Sequence, residues 1–487
     1  MIQRRRSWIT LLLFMLLSTT TRSWIWRQPR SSRYLRRTSI VHQMSITTNN
    51  NRLIVVISGP TGVGKSDVAA RLCRSQKGMV VSADSVQAFR GVQIGANKPT
   101  IAERKETPHL LVDVVDASET YNAAEWQRDA LFSIQNLLQE HPQPSTQRQE
   151  EIASYVARAR VEKEYGKEEP LLPVVVGGTM MYIQWLVYGR PDAVRPSENT
   201  VKRATEIIDR YHSKDDWDGA IKFVSSFGEA FATRTQQLSG QDWYRLRRTL
   251  EIAYTVAERD DDGILERLYS GEREGGLESL GYDVRCFFLC PDDRMKHTEV
   301  VDRRCEDMVV SGLLTETVDL QLSGRLPDMA SRAIGYRQTL DYLLRENFAE
   351  NDDDALNSYL DDFTTATRRY AKKQMQWFRK DGSFAFVPVA ISQAKQERVR
   401  QAAEAIERMC LMGRVEYEKE LLSSEEDGTL SISEQTKQAN EEQGKKMKLY
   451  KFQRYVITSG SQAFRDAMEQ ADESTRRIRG ESSVSPA

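Results

Sequence analysis

Cysteine and histidine are scarce in this chain, and the few present are scattered. The five cysteines, Cys73, Cys286, Cys290, Cys305 and Cys410, form no CxxC pair, and no Cys or His follows Cys410. An odd, dispersed set argues against a disulfide framework and fits a reducing compartment. The same scarcity argues against a zinc site. Neither sign of charge is in excess: 69 Lys and Arg face 70 Asp and Glu, for a formal net charge of −1. Any nucleic-acid contact must therefore come from local basic patches. Acid is missing altogether before Asp67, and long apolar runs are missing everywhere. The run Trp8–Leu17 is too short to span a membrane comfortably.

That acid-free start reads as an address. Arg4-Arg5-Arg6 precedes the Trp8–Leu17 run, and an Arg/Ser/Thr-rich stretch follows it. The pattern predicts that residues 1–52 are a targeting leader, cleaved or disordered, for a mitochondrion or a plastid. Met44 offers an internal start and hence a cytoplasmic form. No stable membrane association is expected of the mature chain.

From residue 53 short β-branched runs alternate with helical patterns, which predicts an α/β core with a parallel sheet over 53–194. The runs are Leu53–Ile57, Met79–Ser82, Leu110–Val115 and Pro173–Val176. A polar stretch at 141–172 reads as a surface insertion. Residues 195–275 are highly charged with few β-branched runs, and read as an inserted helical domain. Val284–Leu289 reads as the last core strand, so 276–390 completes the core and adds a basic helical arm. Residues 391–487 read as a charged tail, partly helical or disordered, loose past Leu421.

Gly59-Pro60-Thr61-Gly62-Val63-Gly64-Lys65-Ser66 lies between the first strand and a helical pattern. This is P-loop spacing in its required context. Glycines let backbone amides close around phosphate oxygens, the helix start adds partial positive charge and Lys65 a full one. Ser66 is placed to hold a phosphate-bound Mg²⁺. The motif predicts a diphosphate or triphosphate ligand without naming it.

The second run ends at Asp84, and in an open α/β sheet strand ends beside the P-loop face the ligand crevice. Asp84 is accordingly a candidate general base or Mg²⁺ ligand. Gly177-Gly178-Thr179 ends a further run at the same edge, where glycines would admit a ligand and Thr179 could donate to it. Three basic clusters follow: one around Arg245 and Arg248, one at Arg332–Gln338, one at Arg368–Arg379. In the last, Arg369, Lys372, Lys373 and Gln376 share a helical face with Trp377 beside it. Cations interleaved with aromatics suit a polyanion with stackable bases.

These blocks, in order GPTGVGKS, SADSVQAF, GVQIGANKP, PHLLVDVVD, YNAAEW, VVVGGTMMY, DWYRLRRTLEI, AIGYRQTLDYL and TRRYAKKQMQWFR, resemble the tRNA dimethylallyltransferases (tRNA isopentenyltransferases). The resemblance implies a P-loop NTPase-like α/β core with an inserted helical domain and a helical C-terminal arm. It implies transfer of a dimethylallyl group from dimethylallyl diphosphate to N6 of the adenosine just 3′ of the anticodon. The alternative is a related enzyme that prenylates free adenine nucleotide, but such enzymes lack the basic arm.

Carried over by motif, the diphosphate falls to Gly59, Thr61, Gly62, Val63, Gly64, Lys65 and Ser66, with Mg²⁺ at Ser66. Catalysis falls to Asp84 as base, helped by Lys65, Thr61 and Arg248. Ser85, Val86, Gln87 and Thr179 would meet the flipped adenine. Arg245 and Arg248 would meet diphosphate or tRNA backbone. Arg332, Gly335, Tyr336, Arg337, Gln338, Lys372, Lys373, Gln374, Gln376, Trp377 and Arg379 would hold the anticodon stem-loop. A monomer without zinc is expected. The chain departs from the family pattern at Val86, Ala88, Phe89 and Ala96-Asn97, and in lacking the zinc finger of several eukaryotic members.

Overall fold

Six parallel strands build the centre of the larger of two structural units. The computed structural model describes residues 52–191, 196–238, 241–259, 273–421 and 430–480. The strands are β1 (Leu53–Ser58), β2 (Gly78–Ser82), β3 (His109–Leu110), β4 (Leu172–Val176), β7 (Asp283–Pro291) and β8 (Phe384–Val389), in the order β3-β2-β4-β1-β7-β8. A two-stranded ribbon, β5 (Arg190–Pro191) with β6 (Arg273–Glu274), is antiparallel.

Parallel strands are buried on both faces, so their sequence runs are continuously apolar. In β1, Ile54 and Val56 enter one core while Val55 and Ile57 enter the other. The first core is closed by α3 (Ala123–Leu137), α5 (Met180–Tyr188) and α14 (Asp353–Phe378), through Trp126, Ile183 and Phe378. The second is closed by α1 (Lys65–Gln76) and α15 (Lys395–Leu411), through Leu72 and Ile406. Between β7 and α14 come α10 (Arg294–Val310), α11 (Leu313–Leu322), α12 (Asp328–Ser331) and α13 (Tyr336–Leu343).

The smaller unit falls within Asp192–Glu272. Its helices are α6 (Glu198–His212), α7 (Trp217–Ser225), α8 (Glu229–Gln236) and α9 (Trp243–Arg259). They share their own core of Ala204, Ile208, Val224, Leu246 and Leu250, against which Trp217 and Trp243 pack edge to face at 4.9 Å.

Several expectations are corrected. The strand expected over Leu110–Val115 stops at Leu110, because Leu111 and Asp113 adopt left-handed backbone with φ of 60° and 58°. There Asp113 turns its carboxylate to Lys98 (2.5 Å) and to Arg104 (2.7 Å) on the short helix α2 (Ile101–Glu106). Val284–Leu289 is not the last strand: β8 adds an edge beyond β7. Its Pro388 is compatible with that edge position, where one backbone donor can be missing. The polar insertion carries α4 (Gln147–Glu162), which buries Ile152, Val156 and Ala159 in the core. The leader lies outside the described residues except Arg52, whose guanidinium pairs with Glu140 at 3.1 Å and covers the Tyr282 ring.

The tail differs most. Past α16 (Arg414–Leu421), the described residues 430–480 form α17 (Ile432–Lys446) and α18 (Gln462–Arg479), packed on the larger unit. Ser433 Oγ accepts the Phe386 amide at 2.8 Å, capping the free edge of β8. Phe464, Ala467, Met468 and Ala471 form one apolar helical stripe that is buried in the main core. Apolar residues there are few, but their spacing places them on a single face.

Candidate active site

The phosphate loop bridges β1 and α1. Gly62 and Gly64 take φ of 82° and 100°, which side-chain-bearing residues rarely adopt, and Gly64 caps α1. The first amides of α1 have no helical partner and face the loop's concavity. Val63 is buried in the core, so only its backbone is left for a ligand. Ser66 is exposed at the first turn, where its hydroxyl fits a hard cation shared with phosphate oxygens.

Thr61, at the loop's centre, is held at three atoms. Its amide donates to Gln374 Oε1 at 3.0 Å, its carbonyl lies 2.9 Å from His297 Nε2, and its hydroxyl oxygen accepts from Arg304 Nη1. Lys65 folds back to donate to the carbonyls of Gly59 and Pro60, at 2.9 and 3.0 Å. Burial, reinforced by the Arg304 charge and opposed by Asp84, lowers the Lys65 ammonium to about 7. Burial also lowers His297 to about 4, against the hydrogen bond to Thr61, so this ring is neutral at pH 7.

The neighbouring strand ends supply the rest. Asp84 Oδ1 accepts the amides of Val86 (2.9 Å) and Gln87 (3.3 Å), a local turn that fixes the carboxylate after β2. Thr179 Oγ1 accepts the Ser85 amide at 3.2 Å, tying the end of β4 to it. Gln374 joins this edge to the phosphate loop, because its Nε2 donates to the Gly178 carbonyl at 3.1 Å, as does Tyr370 OH. Tyr182, stacked on Trp126 at 4.4 Å, has a buried hydroxyl without a partner among the described residues.

Two glycines expected to admit a ligand instead admit the protein. A Cβ on Gly177 would stand 2.1 Å from the Ala83 carbonyl, and one on Gly178 would stand 2.2 Å from Gln374 Nε2.

The chain belongs to the IPP transferase family. The family model, described as IPP transferase, matches residues 87–146 and 144–381. A protein named tRNA dimethylallyltransferase 9 from Arabidopsis thaliana is 33% identical over 67% of this chain and 69% of its own length. A tRNA dimethylallyltransferase from Protochlamydia amoebophila is 30% identical over 70% of this chain and 85% of its own. A solved tRNA isopentenylpyrophosphate transferase from Bacillus halodurans is similar with a TM-score of 0.45 and 23% identity, over 74% of this chain and 96% of that one. The IPP transferase match ends before β8, so the packed tail lies outside it.

The residues that the motifs assign to the site fall into two groups. Lys65, Thr61, Asp84, Ser85 and Thr179 converge through the hydrogen bonds above. Gln87 is latched internally: its Oε1 accepts from Ser82 at 3.0 Å and its Nε2 donates to Ala96 and Asn97 carbonyls. Gln374 is 1% exposed and joins protein to protein, so it is no surface contact. Gly335, Tyr336 and Gln338 are likewise buried. Gln338 caps α13 through the Gly335 amide, and Tyr336 OH donates to Glu316, which accepts the Gln93–Gly95 amides.

Arg332, Arg337, Lys372, Lys373 and Gln376 are exposed, and Trp377 and Arg379 are half-buried beside them. Arg368, counted in that basic run, is committed to buried Asp302 at 2.8 Å. Arg245 and Arg248 belong to the smaller unit, where they pair with Asp242 at 3.3 Å and Glu251 at 2.5 Å.

Sequence reading missed Arg304 and His297. Both sit in a mixed-charge helix far along the chain, and no spacing rule ties them to the loop at residues 59–66. The only signal available was that α10 follows a core strand directly, which brings its first turns to the sheet's ligand edge.

Proposed function

We propose that this enzyme transfers a dimethylallyl group from dimethylallyl diphosphate to N6 of the tRNA adenosine next to the anticodon, releasing diphosphate. What carries the reading is Gln374, which ties the phosphate loop to the strand end beside Asp84 and Thr179, so that one crevice can hold both reactants.

The exocyclic amine of adenine is a weak nucleophile, since its lone pair is delocalised into the ring. Asp84 takes the N6 proton while the N6–C bond forms. The allylic C–O bond breaks as it does so, and its electron pair leaves on the diphosphate oxygen. The amides of the phosphate loop and Lys65 stabilise that growing charge. A Mg²⁺ at Ser66, when bound, adds charge neutralisation. The adenosine must be swung out of the anticodon loop to reach Asp84. The exposed cations Lys372, Lys373, Arg332 and Arg337 attract the anticodon stem-loop.

The test is incubation of the full chain with labelled dimethylallyl diphosphate, Mg²⁺ and either unmodified tRNA or AMP. Label on the tRNA adenosine is expected; label on AMP alone, or on neither, sinks the reading. Residues 1–52 are proposed to direct the chain to a mitochondrion or plastid. A reporter fused to them and remaining in the cytoplasm would refute that.

A further inference from the structure

We propose that Arg304 is a second cationic ligand of the diphosphate, sharing with Lys65 the charge that appears on the leaving group. The proposal rests on the function above and deepens it. Arg304 lies on α10, which packs directly on the phosphate loop: a Cβ on Gly62 would meet Val301, Val300 and His297 at 3.4 to 3.9 Å. From there its guanidinium reaches Thr61 Oγ1 at the loop's centre.

The protein leaves that guanidinium incompletely satisfied. Among the described residues its buried Nε has no acceptor, and its hydrogen bond goes to a neutral hydroxyl. Arg368, which packs beside α10 from α14, is by contrast matched by Asp302. A half-buried cation without a paired carboxylate among the described residues is better satisfied when a ligand supplies the charge. Asp84 lies close enough to favour its charge, and Lys65 is near enough to be repelled by it. Two cations facing one loop make a receptor for a polyanion rather than for a single phosphate.

The chemistry suits arginine. Its planar fork donates two parallel bonds to phosphate oxygens, and unlike lysine it stays charged when desolvated. By donating to Thr61 Oγ1, Arg304 also leaves the Thr61 proton free to point at the diphosphate. When the allylic C–O bond breaks, the electron pair arrives on an oxygen within reach of this fork.

The probe is inorganic diphosphate with Mg²⁺, titrated calorimetrically into the full chain without tRNA. Arg304→Gln is expected to weaken binding at least tenfold, Arg304→Lys three- to tenfold, with tRNA affinity within twofold of the parent. Binding within twofold of the parent in a folded Arg304→Gln protein overturns the proposal; if that variant does not fold, unchanged binding by Arg304→Lys does so. A role limited to propping Thr61 is separated by Thr61→Val, which removes the hydroxyl. Arg304→Gln must still cost tenfold in that background, and no added loss overturns the proposal. Prenyl transfer is not read in these titrations. Failure of the parent protein to modify tRNA therefore counts against the proposed function and not against Arg304.

Discussion

Gln374 accepts the Thr61 amide at 3.0 Å and donates to the Gly178 carbonyl at 3.1 Å, so one buried side chain joins the phosphate loop to the turn after β4. Replacing it by Leu leaves the Thr61 amide unpartnered, costing about 1–3 kcal/mol, while the Gly178 carbonyl keeps Tyr370 OH. Gln374→Leu should lower the melting temperature and reduce turnover, while the salt dependence of tRNA binding stays as in the parent. A changed salt slope would return Gln374 to the tRNA surface.

Asp84 is held by the Val86 and Gln87 amides independently of any substrate. Asp84→Asn keeps those acceptors but cannot take a proton. Turnover should fall by about 10²–10⁴-fold with tRNA affinity retained. Single-turnover rates equal to the parent's would reject Asp84 as the base.

Lys372 and Lys373 are exposed on α14, with no ion pair among the described residues. Converting both to Ala should weaken tRNA binding and reduce the slope of log affinity against log salt by about 1.5, as two lost phosphate contacts require. An unaltered slope removes this face from the interface.

His297 is lowered to about 4 by burial, whereas an unfolded histidine titrates near 6.5. Between those values the unfolded chain holds more protons than the folded one, so stability falls as pH drops from 6.5 towards 4 and is flat above. From pH 6.5 to 5 this one group should cost about 2 kcal/mol. Denaturant melts of His297→Gln should show a shallower loss over that window. Parallel curves for the two proteins would refute the assignment.

Glu306 is fully buried and accepts the amides of Tyr455, Val456 and Ile457, the last two at 2.6 and 2.8 Å. Tyr450 OH meanwhile donates to Asp302 at 2.7 Å. The tail thus straps the back of α10, the helix whose other side carries His297 and Arg304. Glu306→Gln offers one acceptor oxygen where the carboxylate had two, and should cost about 2–3 kcal/mol. It should also open the 430–480 segment to proteolysis. Resistance equal to the parent's would show that the strap does not depend on Glu306.

The parallel α/β core, the phosphate loop, the place of Asp84 and Thr179 at strand ends, and the family were all legible in the amino-acid order. These are local: an apolar run, a glycine spacing or a motif order carries its meaning within a few residues. Which polar residues face solvent was settled by packing between elements. Gln374, Tyr336 and Gln338 belong to exposed-looking basic motifs yet are buried as connectors, while Lys372 and Lys373, immediately before Gln374, stay outside. The fold also decided that the sparse tail packs and that Arg304 and His297 reach a loop more than 200 residues earlier, as separations of 243 and 236 record. The reason is physical: partners brought together by chain crossings leave no periodicity behind, because neither residue's neighbours in sequence share the contact.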